Sequence, residues 1–184
     1  NDLNLDDITI LDLGCGEGIH SMNILSKIKS NYKYFGFDYS KCAINLASDY
    51  NSSNRFYFNG DVNNIPIASD SIDVIIDFLS PYSESEVKRV LKKGGIFIKI
   101  APSSNYLLEL REASGLGKYQ KQQEIIDNLG KYFKDIVTEN YQRTFKIEKD
   151  DIENLIGMTP LKLKANNLKI EQITIDLNVY KMAK

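Results

Sequence analysis

Between Asp12 and Gly18 the chain reads Asp-Leu-Gly-Cys-Gly-Glu-Gly, and two more acids, Asp38 and Asp61, follow at intervals. Glycines at 14, 16 and 18 remove side chains where a strand would turn into a helix. A ligand can then approach the backbone closely, and positive φ angles are open. The spacing is G-x-G-x-G. A dinucleotide fingerprint wants a further glycine at 19, where Ile19 stands. A zwitterionic amino-acid group suits Asp12 at a strand end beside backbone amides better than a pyrophosphate does. Asp38 lies 20 residues after Gly18, where a carboxylate can accept both hydroxyls of a ribose. Asp61 can accept from an adenine amino group while Val62 packs on the ring. Each feature has a structural alternative: a Gly-rich turn can be only a turn, and Asp38 with Ser40 can serve a helix start. Taken in order, each acid after its own strand, they converge on the crevice at the C-terminal strand ends of an open α/β sheet.

The elements that must hold these residues can be read from the apolar pattern. Ile8 to Leu13 is a short apolar run, the expected form of a buried parallel strand. Residues 20–28 carry Met22, Leu25 and Ile28 at helical spacing. Further strands are expected at 34–37, 56–58, 72–78 and 96–100, with helices opening at Ser40 and over 84–92 and a Gly94-Gly95 turn before the fifth strand. Strands alternating with helices imply a doubly wound parallel sheet. Later, helices are expected over 106–113, 120–129 and 152–156, with a short one from Pro160. Strands are expected over 135–147 and 168–182, the latter alternating through Ile170, Ile173, Ile175, Leu177 and Val179.

Composition narrows the class. The 184 residues are 42% hydrophobic and 26% charged, as in a single globular domain spanning 1–184. No apolar run reaches membrane-span length and no signal-peptide pattern opens the chain, so cytoplasm is the expected location and no membrane partner is expected. Two cysteines, Cys15 and Cys42, cannot make a four-cysteine zinc site, and no metal is expected. Net charge is −2; residues 1–100 carry 10 Lys/Arg against 13 Asp/Glu, and residues 101–184 carry 13 against 12. That neither demands nor excludes a nucleic-acid partner. The single histidine, His20, reads as a helix-surface residue near the ligand, and Cys15 as a small loop residue. Neither suggests hydrolase chemistry.

The stretches LDLGCGEG, GFDYSKCAI, NGDVNNIPIASDSIDVI and VLKKGG resemble the motifs of class I S-adenosylmethionine-dependent methyltransferases over residues 8–100. Residues 78–111 and 157–165 are similar to the 23S rRNA (guanine-N1)-methyltransferases, a family of housekeeping and macrolide-resistance enzymes. The matching positions are Pro81 after the fourth strand, then Leu107, Glu109, Leu110 and Arg111 after the fifth, then Met158, Thr159, Pro160, Lys164 and Ala165. Leu163 stands where the family has Trp, Tyr106 stands where His is common, and the family's N-terminal zinc-binding domain does not occur in these 184 residues.

The resemblance implies a Rossmann-like α/β fold with a seven-stranded mixed sheet, order 3-2-1-4-5-7-6, the last strand antiparallel and helices on both faces. It implies S-adenosyl-L-methionine as cofactor. The expected cofactor residues are Asp12, Gly14, Cys15, Gly16, Gly18, His20, Asp38, Tyr39, Ser40, Asp61, Val62 and Leu79. Expected substrate residues are Pro81, Tyr82, Tyr106, Arg111, Met158, Thr159, Pro160 and Lys164, facing ribosomal RNA; a homodimer is left open. The loop 79–82 should face the methyl group. Tyr82 could stack on an extruded base, but a packed loop aromatic is favoured. Arg111, Lys118, Lys121, Lys162 and Lys164 are candidates for phosphate contact, although for any one of them alone an ordinary solvated residue is the favoured reading. Asp77 precedes the loop and no catalytic base is assigned. A small-molecule methyltransferase and a non-catalytic cofactor-binding module are the competing readings.

Overall fold

In the computed structural model, residues 7–159, 161 and 170–184 are described. The expected short helix at Pro160, and with it Pro160, Lys162, Leu163, Lys164 and Ala165, lies outside the described residues. Seven strands form one sheet in the order β3-β2-β1-β4-β5-β7-β6, the expected order. The chain divides into two compact units: the residues up to Ile100 with Asn128–Val137 and Tyr180–Lys184, and Ala101–Asp127 with Thr138–Val179.

The first unit holds β1 (Ile8–Leu13), α1 (Ile19–Leu25), β2 (Tyr32–Asp38), α2 (Lys41–Ala47), β3 (Arg55–Asn59), β4 (Ile72–Phe78), α3 (Glu84–Val90) and most of β5 (Leu91–Pro102). Strands β1 to β5 pair in parallel, with Leu13 opposite Phe37 and Asp77, and Asp38 opposite Asn59. Neighbouring residues of a strand point to opposite faces, yet Ile10 and Leu11 are both buried, so both faces of β1 are covered. One face carries Ile10, Tyr34 and Tyr57 against Leu25 of α1 and Ile44 and Ala47 of α2. Burial of each large apolar side chain stabilises by about 1.5–3 kcal/mol, which fixes the strands and so places their C-terminal ends. Ser40 caps α2 by accepting from the Ala43 N–H at 3.2 Å.

The expected turn at Gly94-Gly95 is instead part of β5. Ile72 pairs with Leu91 and Val74 with Ile96, so the extra residues bulge out of the ladder. Gly94, at φ +78°, supplies the left-handed conformation that the bulge needs.

In the second unit α4 (Leu108–Ala113), most of α5 (Gln122–Gly130), α6 (Lys149–Gly157) and the facing parts of β6 (Lys134–Lys146) and β7 (Gln172–Ala183) come together. β7 runs antiparallel to β6, as Thr144 meets Thr174 and the Ile147 N–H meets the Glu171 carbonyl. It is antiparallel to β5 also, since the Ser103 N–H bonds Asp176 in this unit and the Gly94 N–H bonds Lys184 in the first. Leu107, Leu110, Ile152 and Ile173 form the core of the second unit. Glu109, part of the motif after β5, accepts from both the backbone N–H (2.9 Å) and the hydroxyl (2.7 Å) of Thr174. Its role here is to staple α4 to β7. Glu109→Ala removes the acceptor of the Thr174 N–H and leaves its hydroxyl only Thr144, and is expected to lower stability by about 2 kcal/mol, read as a lower urea midpoint.

Candidate functional site

The sheet brings the ends of β1, β2 and β3 side by side, and the glycine loop is held there by main-chain bonds. The Gly14 and Cys15 N–H groups donate to the Phe37 carbonyl at 2.9 and 3.1 Å. The Gly16 N–H donates to Asp38 Oδ2 at 3.0 Å, while Asp38 Oδ1 accepts from the Ser40 N–H at 2.8 Å. Asp38 therefore ties the β1 loop to the start of α2, and each of its oxygens keeps a second lone pair for a ligand. Gly14 has φ +70°, and a Cβ there would collide with the Ser80 side chain. Glycine is required at this point for close approach as well as for conformation.

A crevice of about 430 Å³ opens at this edge, lined by Gly14, Phe37, Asp38, Tyr39, Asp61, Val62, Asn63, Ser80 and Pro81. That volume is suited to a small-molecule ligand. Of the residues expected at the cofactor, Gly14, Asp38, Tyr39, Asp61 and Val62 share this lining. Asp12, Cys15, Gly16, Gly18, His20, Ser40 and Leu79 are not part of it. Leu79 takes φ +58° and donates its N–H to Ile100. Pro81, expected on the substrate side, lines the crevice too. Tyr82 packs on Phe97 at 5.7 Å between ring centroids, in line with the packing reading.

Asp12 is buried and turned inward. Its Oδ2 accepts from the Ser21 hydroxyl of α1 and from the Tyr34 hydroxyl at 2.9 Å. Gly36 lies opposite Asp12 in the ladder, and a Cβ there would sit 2.7 Å from the Tyr34 hydroxyl. The missing side chain is what lets Tyr34 reach the acid. Burial raises the Asp12 carboxyl above its ordinary range, against the two hydrogen bonds. Burial also raises the Cys15 thiol, with Asp12 and Asp38 adding to it, which suits a loop residue and not a nucleophile. Gly16 and Gly18 have positive φ, and His20 stacks on Phe78 at 5.4 Å.

Several residues beyond the expected site set also help to shape the crevice. Asn59, at the end of β3, donates to the Asp38 and Tyr39 carbonyls at 2.9 and 2.8 Å and pins the segment after β2. Asp61 Oδ1 accepts from the Asn63 N–H at 2.8 Å, closing a tight turn that presents Val62. Downstream, Glu86 accepts from the Ile65 N–H at 2.8 Å, and Arg89 donates to the Ile65 and Ile67 carbonyls, each at 2.8 Å. The Arg89–Glu86 pair, 2.7 Å, thus holds the loop after β3 onto α3. An i,i+3 pair on a helix is the one sequence signal that could have suggested it.

Asp77 of β4 is fully buried and paired with Lys99 of β5 at 2.8 Å. Burial pushes its carboxyl up to about 7, although Lys99 pulls it down. Asp77 and Asp12 therefore hold their protons more tightly in the folded chain than in the unfolded one. Between about pH 4 and pH 7 the native state binds more protons, so stability falls as pH rises through that window and then levels off. The urea midpoint is expected to be higher at pH 5 than at pH 7.5, and Asp77→Asn should flatten the slope. A midpoint that rises with pH over this range contradicts the assignment.

The second unit has its own pocket of about 180 Å³, lined by Pro102, Tyr106, Leu107, Arg111, Tyr119, Thr159 and Leu161. Three expected substrate residues, Tyr106, Arg111 and Thr159, meet here. The Arg111 guanidinium donates Nε to the Gly117 carbonyl at 2.7 Å and lies 5.4 Å from the Tyr119 ring. Met158 is 84% exposed and outside the lining. Lys118 and Lys121 are exposed, and no described helix is long and apolar enough to cross a membrane.

Residues 4–157 match the methyltransferase domain family. A Bacillus subtilis (strain 168) protein, YxjB, provisionally named a 23S rRNA (guanine-N1)-methyltransferase, is 37% identical over 56% of this chain and 37% of its own length. The Streptomyces fradiae 23S rRNA (guanine(748)-N1)-methyltransferase is 22% identical over 82% of this chain and 54% of its own. The chain spans about half or less of the length of these relatives. A Haemonchus contortus phosphoethanolamine N-methyltransferase, solved with S-adenosyl-L-methionine, shares the fold at TM-score 0.65, 14% identity, covering all of this chain and 50% of that one. With the sheet order β3-β2-β1-β4-β5-β7-β6, these findings agree on one architecture, the class I fold whose cofactor is S-adenosylmethionine, and the chain belongs to the methyltransferase domain family.

Proposed function

We propose that this chain transfers the methyl group of S-adenosylmethionine to N1 of a guanine in 23S ribosomal RNA, in the cytoplasm. The observation that carries the cofactor half is the crevice in which Asp38, Asp61 and Gly14 meet at the ends of their strands. Asp38 would hold the ribose hydroxyls, Asp61 and Val62 the adenine, and the glycine loop the amino-acid portion. When bound, the cofactor supplies an electrophilic sulfonium methyl. The residues of this chain would then act chiefly by alignment, placing the acceptor nitrogen in line with it.

The RNA half is supported by the relatives and by the pocket of the second unit, where Tyr106 and Tyr119 offer rings on which an extruded base could stack. Asp77, buried and held by Lys99, is not offered as the base that takes the N1 proton. A small-molecule acceptor is the second reading, favoured by the net charge of −2. The test uses labelled S-adenosylmethionine and unmodified ribosomal RNA, with the full-length gene product beside this chain. Label recovered as N1-methylguanine in 23S RNA supports the proposal. No label from either protein while cofactor still binds defeats the RNA half and leaves the small-molecule enzyme or the binding module.

A further inference from the structure

The wall of the crevice formed by Ser80 and Pro81 rests on a buried ion pair that belongs to no motif. Lys99 Nζ donates to Asp77 Oδ1 at 2.8 Å and to the Ser80 carbonyl at 2.7 Å. Asp77 Oδ1 also accepts from the Ser80 N–H at 3.1 Å. Both backbone polar groups of Ser80 are therefore held by one charge pair whose side chains are 6% and 0% exposed. The same ammonium sits 4.8 Å from the centroid of the Tyr82 ring, so it grips the loop on both sides of Pro81. The loop needs gripping: Leu79 takes φ +58°, a conformation that non-glycine residues rarely adopt. Opposite, the Ser80 side chain stands directly against Gly14 of the cofactor loop.

We propose that Asp77 and Lys99 are positioning residues that fix Ser80 against Gly14 and so set the width of the cofactor crevice. The inference rests on the reading of that crevice as the cofactor site. It explains why so costly a feature sits under the sheet end. A buried ion pair is weak as a source of stability, and an apolar pair of similar volume often does as well. Its distinctive product here is two charge-assisted bonds aimed at one residue of the wall. Asp77 Oδ2 has no hydrogen-bond partner among the described residues, so the acid is tied down only on the side that faces Lys99 and Ser80.

The test measures S-adenosylhomocysteine affinity by calorimetry and stability by thermal melting, on the whole chain. Lys99→Met leaves Asp77 buried and unpaired and should lower both. The Asp77→Leu, Lys99→Met double variant removes both charges, so its melting temperature should return towards that of the parent. Its affinity should nevertheless stay about tenfold weaker, because the N–H and carbonyl of Ser80 then have lost the side chains that hold them. A double variant that binds with parental affinity overturns the proposal. Asp38→Ala serves as the control for the crevice: if it too binds normally, the cofactor-site reading has failed, and if it alone loses binding, only the clamp has.

Discussion

Gly14→Ala is expected to weaken S-adenosylhomocysteine binding by about 100-fold or more and to destabilise the fold by about 1–3 kcal/mol. The new Cβ would fall onto Ser80 Oγ and lie 2.5 Å from Ser80 Cβ. Ser80 cannot step aside, because Asp77 and Lys99 hold its N–H and its carbonyl. The φ of +70° adds strain on top of the collision. Gly16→Ala is the matched comparison. It has φ +57° but nothing within 4 Å of the added carbon, so it should cost about 1 kcal/mol of strain and little binding. Equal affinities for the two variants, measured by calorimetry, would contradict the close contact between the loops.

Asp38→Ala should have the other large effect, again about 100-fold in cofactor affinity, since it removes a charged acceptor from the ligand and two from the backbone. The Gly16 and Ser40 N–H groups lose their partner together, so the glycine loop and the start of α2 loosen with it. Asp38→Asn keeps one acceptor oxygen and should fall between, at about tenfold. Binding within twofold of the parent in Asp38→Ala would mean that the carboxylate serves the fold alone.

The parts of this architecture visible in the sequence are those that depend on local pattern. Ile8–Leu13 and Ile72–Phe78 are apolar runs bounded by turn residues, and both strands occupy the expected residues. Asp38 ends β2 and Asp61 follows β3 by two residues, so both could be found from the strand pattern, and both line one crevice. What stayed hidden depends on register and on partners far along the chain. Ser80 reaches the crevice because β4 lies beside β1, and Lys99 meets Asp77 because the two are opposite in the β4–β5 ladder. The early start of β5 was masked by the bulge at Gly94-Gly95, which reads as a turn when taken alone. Asn59 looks like any polar residue at a strand end until its amide is seen on two carbonyls. Glu109 belongs to the motif after β5, yet its carboxylate is spent on Thr174 and the fold.

The most direct measurement of the central claim is backbone hydrogen exchange on the chain with and without S-adenosylhomocysteine. The account predicts ligand-dependent protection confined to the amides of Gly14 to Gly18, of Tyr39 and Ser40, and of Asp61 to Asn63, all around one crevice. Protection elsewhere, with these amides unchanged at saturating ligand, would contradict it.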